Sequence, residues 1–306
     1  MLSYYEKKAT EEEFSLLDSP EDGCWIHAEQ ATVEDLEQIC SMTGLELSDI
    51  QDSLDRYEVP RVEKVDHSVI LYLRHPMHME SGLYTTTVTI LLTTHYFITI
   101  APVHSPLIQN LLTKKTKTSP KEKSQLLILV LLRITQEYNF QIRKVRHNVM
   151  TQQKEMIHVE SDDISTLTKQ EEILNQYLSS LVPLKSMLEH LLSAKFSSLY
   201  EQDREQIDDV LNTLKQSEDL ATIVIKSIRS LRDSYQIIFT NNLNKTIKLL
   251  TALTILFSIP TMIASLYGMN VTLPFSGTPH MFPVLISIIA IFSFTCFYLF
   301  YRKRLL

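Results

Sequence analysis

The sequence predicts an α+β cytosolic domain, a mixed β-sheet with helices, followed by a very long stalk and pore helix and a C-terminal two-helix transmembrane hairpin. Three observations predict it. From Ile247 to Tyr301 the only Lys, Arg, Asp or Glu is Lys248, whereas the preceding part is dense in charge. Runs rich in β-branched and aromatic residues concentrate before Pro120. Beyond it, 121–182 and 184–259 contain neither Gly nor Pro. The expected division is 1–120 for the α/β domain, 121–240 for long helices and stalk, and 241–306 for the hairpin.

In chain order, "CWIHA" (24–28) reads as a short strand. Thr32 then caps the helix "TVEDLEQICSMTG", with Asp35 placed as in a capping box and Gly44 as the stop. "SVILYLRH" (68–75), "LYTTTVTILLTT" (83–94) and "YFITIAP" (96–102) alternate as strands do. The Gly- and Pro-free runs exceed ordinary globular helices. Unbroken from Asp203 to Leu266, the last would reach about 96 Å at about 1.5 Å per residue.

Ile247–Leu266 and Phe282–Tyr301 are each about twenty residues, enough to span a hydrocarbon core about 30 Å thick. A buried soluble hairpin is the competing reading, but two such runs at the end of the chain leave little to pack against. Lys245 and Lys248 flank the first run and Arg302, Lys303 and Arg304 follow the second, while the loop between carries no Lys, Arg, Asp or Glu. The positive-inside rule therefore puts both termini in the cytoplasm, in a multi-pass protein of the cell membrane. The polar, acidic "MLSYYEKKATEEEF" does not read as a signal peptide.

Composition narrows the function. Cys24, Cys40 and Cys296 are scattered, without the spacing of a thiolate metal site or a disulfide framework. A net charge of −7 disfavours nucleic acid. The five glycines are too far apart for a dinucleotide turn or a phosphate-cradling loop, so no nucleotide partner is expected and transport would be passive. No nucleophile–base grouping stands out, so an enzyme is not expected.

The first apolar run carries a polar stripe. Thr251, Thr254, Ser258, Thr261 and Ser265 are spaced 3, 4, 3 and 4 apart, one face of a helix, and the face continues upward through Ile247 to Asn244 and Thr240. Small hydroxyl residues also serve helix packing in membranes. As a pore face, hydroxyls and amides would bind the water shell of a passing ion without stripping it. That suits Mg²⁺, which dehydrates reluctantly. One stripe cannot enclose a channel, so a closed homo-oligomer is required. Ser287, Ser293 and Thr295 in the second run lack such a register, which points it toward lipid.

"YGMN" (267–270), at the outer end of the first of two C-terminal spans and followed by a short loop and a basic tail, resembles the CorA family of magnesium channels. Pro260, "WIH" (25–27) before a capped helix, and "VPRVEKVDHSVILYL" (59–73) extend the likeness over nearly the whole chain. The resemblance implies a homopentameric funnel with Gly268, Met269 and Asn270 as the outer selectivity ring. Gly268 would let the chain turn tightly, and Asn270 would present its amide oxygen to a hydrated cation. Counting back from Asn270, Asn244 and Asp233 match polar pore positions and Leu250 the hydrophobic constriction. Ser258 falls where the family often has a second bulky constriction, which suggests a wetter middle. The loop "VTLPFSGTPHMFP" lacks the usual acidic residue.

The family also implies regulatory divalent sites. Asp209 matches one sensor aspartate and Asp52 its partner, with Asp49 and Asp55 as rivals. Mg²⁺ would be both cargo and regulator. Co²⁺, Ni²⁺ or Zn²⁺ transport is the alternative within the superfamily, and a non-conducting membrane-anchored helical scaffold the alternative outside it. His75 and His78 ("HPMH") are the histidines a zinc reading would invoke, but they read as an ordinary surface turn far from the stripe.

Overall fold

The computed structural model of the chain describes residues 2–7, 13–78, 84–113, 115, 118–154, 161–192, 201–269 and 280–302. It divides into two compact units, Met1–Glu155 with Asp162–Leu231, and Met156–Ser161 with Arg232–Leu306.

The first unit is built on a seven-stranded sheet. Its strands are β1 (Leu2–Glu6), β2 (Ser15–Leu17), β3 (Trp25–Glu29), β4 (Arg61–Val65), β5 (Ser68–Pro76), β6 (Thr85–Leu92) and β7 (Phe97–Ala101), in the order β2-β1-β3-β7-β6-β5-β4. All pairings are antiparallel except β3 with β7, so the sheet is mixed. The four expected strands are present, each shifted or trimmed by one or two residues. Leu83, where the third was expected to begin, lies outside the described residues. Three further strands, β1, β2 and β4, sit toward the two edges.

Between β3 and β4 lie α1 (Val33–Thr43), the single turn α2 (Leu47–Ile50) and a 3-10 turn at Gln51–Leu54. α1 starts and stops as expected. The Asp35 amide donates to the Thr32 hydroxyl and the Asp35 carboxylate accepts from the Thr32 amide, while Gly44 takes the left-handed conformation at φ 77°. Only glycine adopts that cap without steric cost. Leu36 and Ile39 of α1 pack with Ile26, Ile70, Tyr72, Leu91, Ile98 and Ile100 into one continuous core on a single face of the sheet.

The other face takes helices. α3 (Pro106–Thr113) leads to α4 (Lys123–Lys154), where the buried Tyr138 hydroxyl donates to the Arg74 carbonyl of β5. The run without Gly or Pro is thus two long helices, because α5 begins at Ser161 and continues to Leu191, straight through Pro183. Buried positions of α5 recur at Leu167, Gln170, Leu174, Tyr177, Leu181, Leu184, Leu188 and Leu191. α6 (Glu201–Tyr267) repeats the pattern at Ile207, Val210, Leu214, Ser217, Ala221, Val224, Ile228 and Leu231. Alternating steps of three and four keep one apolar seam along each helix, as in a coiled coil. Lys185–Glu218 at 2.6 Å and Arg229–Glu171 at 2.6 Å bridge the two helices beside that seam.

The second unit holds the rest of α6 and α7 (Met281–Arg302). Both helices are long and apolar enough to cross a membrane. α6 is continuous through Pro260, as a single stalk and pore helix requires.

Candidate ion pathway

From Arg232 onward α6 has two unlike faces. Ala252, Leu253, Leu256, Ile259, Pro260 and Ile263 are its covered positions within the apolar run; Thr251, Thr254, Ser258, Thr261 and Ser265 are all exposed. At about 100° per residue the two sets are centred roughly 180° apart. The hydroxyl stripe therefore points away from whatever covers the apolar face. α7 has a matching single covered face, with Leu285, Ile289, Ser293, Cys296 and Phe300 its least exposed residues. Ser293 lies on that face, and its hydroxyl is buried without a partner.

Two of the stripe's hydroxyls are already committed as donors. Thr254 donates to the Leu250 carbonyl and Thr261 to the Phe257 carbonyl, each at 2.8 Å. A hydroxyl that donates into its own helix has only lone pairs to offer outward. Such a surface accepts hydrogen bonds, and the water shell of a cation turns its hydrogens outward. Pro260 has no N–H, so the Leu256 carbonyl loses its usual backbone donor, an opening that membrane helices tolerate where neighbouring groups re-satisfy it.

Between Asp233 and Leu250 the same helix is largely bare. Asp233, Thr240, Asn244, Ile247 and Leu250 are all exposed, and so are the large apolar side chains Ile237, Phe239 and Leu243. From Phe239 to Leu250 every residue is exposed, a condition an isolated soluble helix rarely sustains.

At the outer end Met269 is exposed and Asn270 lies outside the described residues. Gly268 departs from expectation. Its amide closes the last helical turn, donating to Ala264 at 3.0 Å and Ser265 at 3.2 Å, and it is not among the glycines with positive φ. No tight turn requires glycine there. A methyl group at Gly268 would meet only its own helix's carbonyls at 3.4 and 3.5 Å, an ordinary contact. Among the described residues nothing demands glycine at this position.

The two sensor candidates differ in setting. Asp209 is exposed on α6, beside Asp208, whose carboxylate accepts from Asn212 at 3.3 Å. Asp52 is already paired: Arg61 reaches it at 2.8 Å and is shared with Glu58 and, at 2.6 Å, with Glu63, its guanidinium 4.0 Å from the Tyr72 ring centroid. Burial opposes the charge on Arg61, but Glu63, Glu58 and Asp52 outweigh it and raise its pKa. The rivals have structural work: Asp49 accepts from the Glu46 amide and Asp55 from the Tyr57 amide. No group of three or more His, Cys, Asp or Glu stands ready to hold a metal among the described residues. The Arg61 cluster escaped sequence reading, although "EVPRVE" displays it as an arginine flanked by acids.

His75 is not in a surface turn. It is buried at the end of β5, its Nε2 3.1 Å from the Ser105 hydroxyl and its Nδ1 3.0 Å from the Pro76 carbonyl. Both ring nitrogens are occupied, and burial holds its pKa down to about 4. His78 instead stacks on Tyr84. The pair does not form a metal site.

Set against known proteins, the family profile described as CorA-like Mg2+ transporter protein matches residues 20–304. The chain belongs to the CorA family. This CorA-family chain is therefore placed among divalent-cation transporters of membranes, not among enzymes. It is 23% identical over 289 residues to the cobalt/magnesium transport protein CorA of Methanocaldococcus jannaschii, covering 91% of this chain and 90% of the relative. The complete structure of the CorA magnesium transporter from that organism superposes with a TM-score of 0.79 at 20% identity, over 99% of this chain and 98% of the other. Full-length CmaX gives 0.73 at 18% identity, over 99% and 97%. The cytoplasmic domain of ZntB from Vibrio parahaemolyticus gives 0.63 at 12% identity, over 78% of this chain and 98% of its own. These likenesses establish the fold: a mixed sheet with helices, a long helix and a C-terminal apolar helix.

Proposed function

We propose that the chain is a passive magnesium channel of the cell membrane, assembled as a homopentamer and gated by intracellular divalent cations. The observation that carries this reading is the stripe of Thr251, Thr254, Ser258, Thr261 and Ser265, exposed on the face of α6 opposite its covered one. Five such stripes would enclose a column lined by acceptors. Leu250 would form an apolar constriction above, and Asp233, Thr240, Asn244 and Ile247 the approach to it. Residues 1–120 would be the cytosolic α/β domain, 121–240 the long-helix stalk, and 241–306 the hairpin, with both termini in the cytoplasm. An inside-negative potential of about 100 mV offers a divalent ion about 4.6 kcal/mol, sufficient to drive entry without ATP.

Gly268, Met269 and Asn270 would form the outer ring. Since nothing among the described residues requires glycine at Gly268, the requirement would come from the crowding of identical neighbours around the axis. Neutral amides of Asn270 bind weakly enough to let the ion pass on. The test is flux through the full chain reconstituted in liposomes, compared with Asn270→Ala. The wild type should pass Mg²⁺ and the variant should lose most of it. Equal flux would remove the ring assignment. The printed name of the M. jannaschii relative couples cobalt with magnesium, so Co²⁺ is the first competitor to measure, followed by Ni²⁺ and Zn²⁺. Silence toward all four under low cytosolic divalent conditions would favour the scaffold reading.

Asp209 would act as a regulatory ligand across a subunit boundary, with Asp52 joining only when Mg²⁺ displaces Arg61. Asp209→Lys should abolish the protection from protease that Mg²⁺ confers on the wild type. Unchanged protection would remove the sensor role.

A further inference from the structure

Within the first unit, a cavity of about 830 Å³ opens between the end of β5, α3, α4 and α5. That volume is in the range of small-molecule sites. Its walls do not match the ion pathway. Arg133, Lys144 and Lys169 line it, and among the described residues none of the three meets a carboxylate; Arg133 donates only to the Gln136 side-chain carbonyl at 3.2 Å. Among the described residues Glu137 is the only acid in the lining, and it accepts from Gln141 at 2.7 Å. The cavity is therefore short of negative charge.

Two further features describe what would fill it. Leu107, Leu111 and Ile173 supply apolar wall, and Phe140 stands 61% exposed beside them. Gln170, only 8% exposed, also lines the cavity, and its buried side-chain carbonyl oxygen has no donor among the described residues. An unsatisfied buried acceptor costs about 1–3 kcal/mol, which a ligand N–H or O–H would offset. The edge-to-face contact of Tyr138 with Tyr177, with ring centroids 5.5 Å apart, sets the register of α4 against α5. Counted from that contact at about 1.5 Å per residue, Lys144 lies roughly 9 Å along α4, and Lys169 and Gln170 roughly 11 Å back along α5. Lys144, Lys169 and Gln170 thus lie toward the same end of the two helices in the cavity's lining.

We propose that this cavity binds a small organic acid: an apolar or aromatic body against Phe140 and Ile173, a carboxylate between Lys144 and Lys169, and one hydroxyl or N–H donor for Gln170. The site is separate from the ion pathway, and its test reads binding rather than flux. Calorimetric titration of the full chain in detergent with 6-hydroxy-2-naphthoate, against empty micelles, should show one site per chain. The double variant Lys144→Glu/Lys169→Glu changes exposed side chains, so it should keep the wild-type circular dichroism yet bind at least tenfold more weakly. 2-Naphthoate, lacking the hydroxyl, should bind the wild type more weakly, and Gln170→Leu should erase that difference. Heats equal to those of empty micelles, or a double variant binding as tightly as wild type, would overturn the proposal.

Discussion

Replacing Thr254 and Thr261 together by leucine should lower Mg²⁺ flux at least tenfold while leaving the helical content unchanged. Both side chains are exposed, and each hydroxyl bonds only to its own helix at 2.8 Å, so the fold loses little. What disappears is an outward-facing acceptor at two levels of every subunit. A hydrogen bond is worth about 1 kcal/mol net, and about 1.4 kcal/mol of added barrier slows passage tenfold. Several subunits losing one acceptor each at the same level exceed that threshold. Were the stripe against lipid, leucine would be as welcome as threonine and flux would not change. Flux of a Mg²⁺-sensitive dye loaded in liposomes distinguishes the two.

Acid should destabilise the first unit well before its carboxylates titrate. His27 and His75 are buried, and burial lowers the pKa of each from 6.5 to about 4. The unfolded chain therefore binds protons that the folded chain refuses. Stability from each imidazole is fully present above about pH 6.5 and is lost as pH falls toward 4. The shift corresponds to about 3 kcal/mol per histidine at the lower limit. Against a typical total of about 5–15 kcal/mol, two such losses bring the unit close to unfolding. Urea titrations at pH 7 and pH 4.5 should show a fall in midpoint over this interval. A flat profile would mean that one or both imidazoles can be protonated within the fold.

The parts of this protein that a single sequence displays are those with strong periodicity. The capping box at Thr32, the left-handed stop at Gly44 and the β-branched runs of β5, β6 and β7 each follow from local chemistry, and each is present. β1, β2 and β4 were not legible because they sit at or near the edges of the sheet. There charged and polar residues such as Glu6, Arg61, Glu63 and Lys64 discourage further pairing and erase the apolar signal. α5 runs through Pro183 because its seam of buried residues outweighs one lost backbone bond, a tertiary effect no local rule reports.

The candidate pathway was half legible. The hydroxyl stripe is visible as a spacing in the sequence, but that the covered apolar face lies on the opposite side of α6 is knowable only from the fold. Gly268 shows the limit. Glycine ordinarily signals a turn, yet the Gly268 amide closes the last helical turn, and no described residue accounts for the missing side chain. His75 erred the other way, reading as surface because it is followed by a proline, although β5 carries it into the interior.

The most direct measurement is the water accessibility of the stripe in the assembled protein. Cys24, Cys40 and Cys296 would first be replaced by serine. Cysteine would then be placed singly at Thr254, Ser258 and Thr261, with Ala264 as a control about 100° from the centre of the stripe. A membrane-impermeant thiol reagent should modify the three stripe positions, block Mg²⁺ flux when it does so, and spare the control. Three unreactive stripe positions beside an undiminished flux would contradict the account.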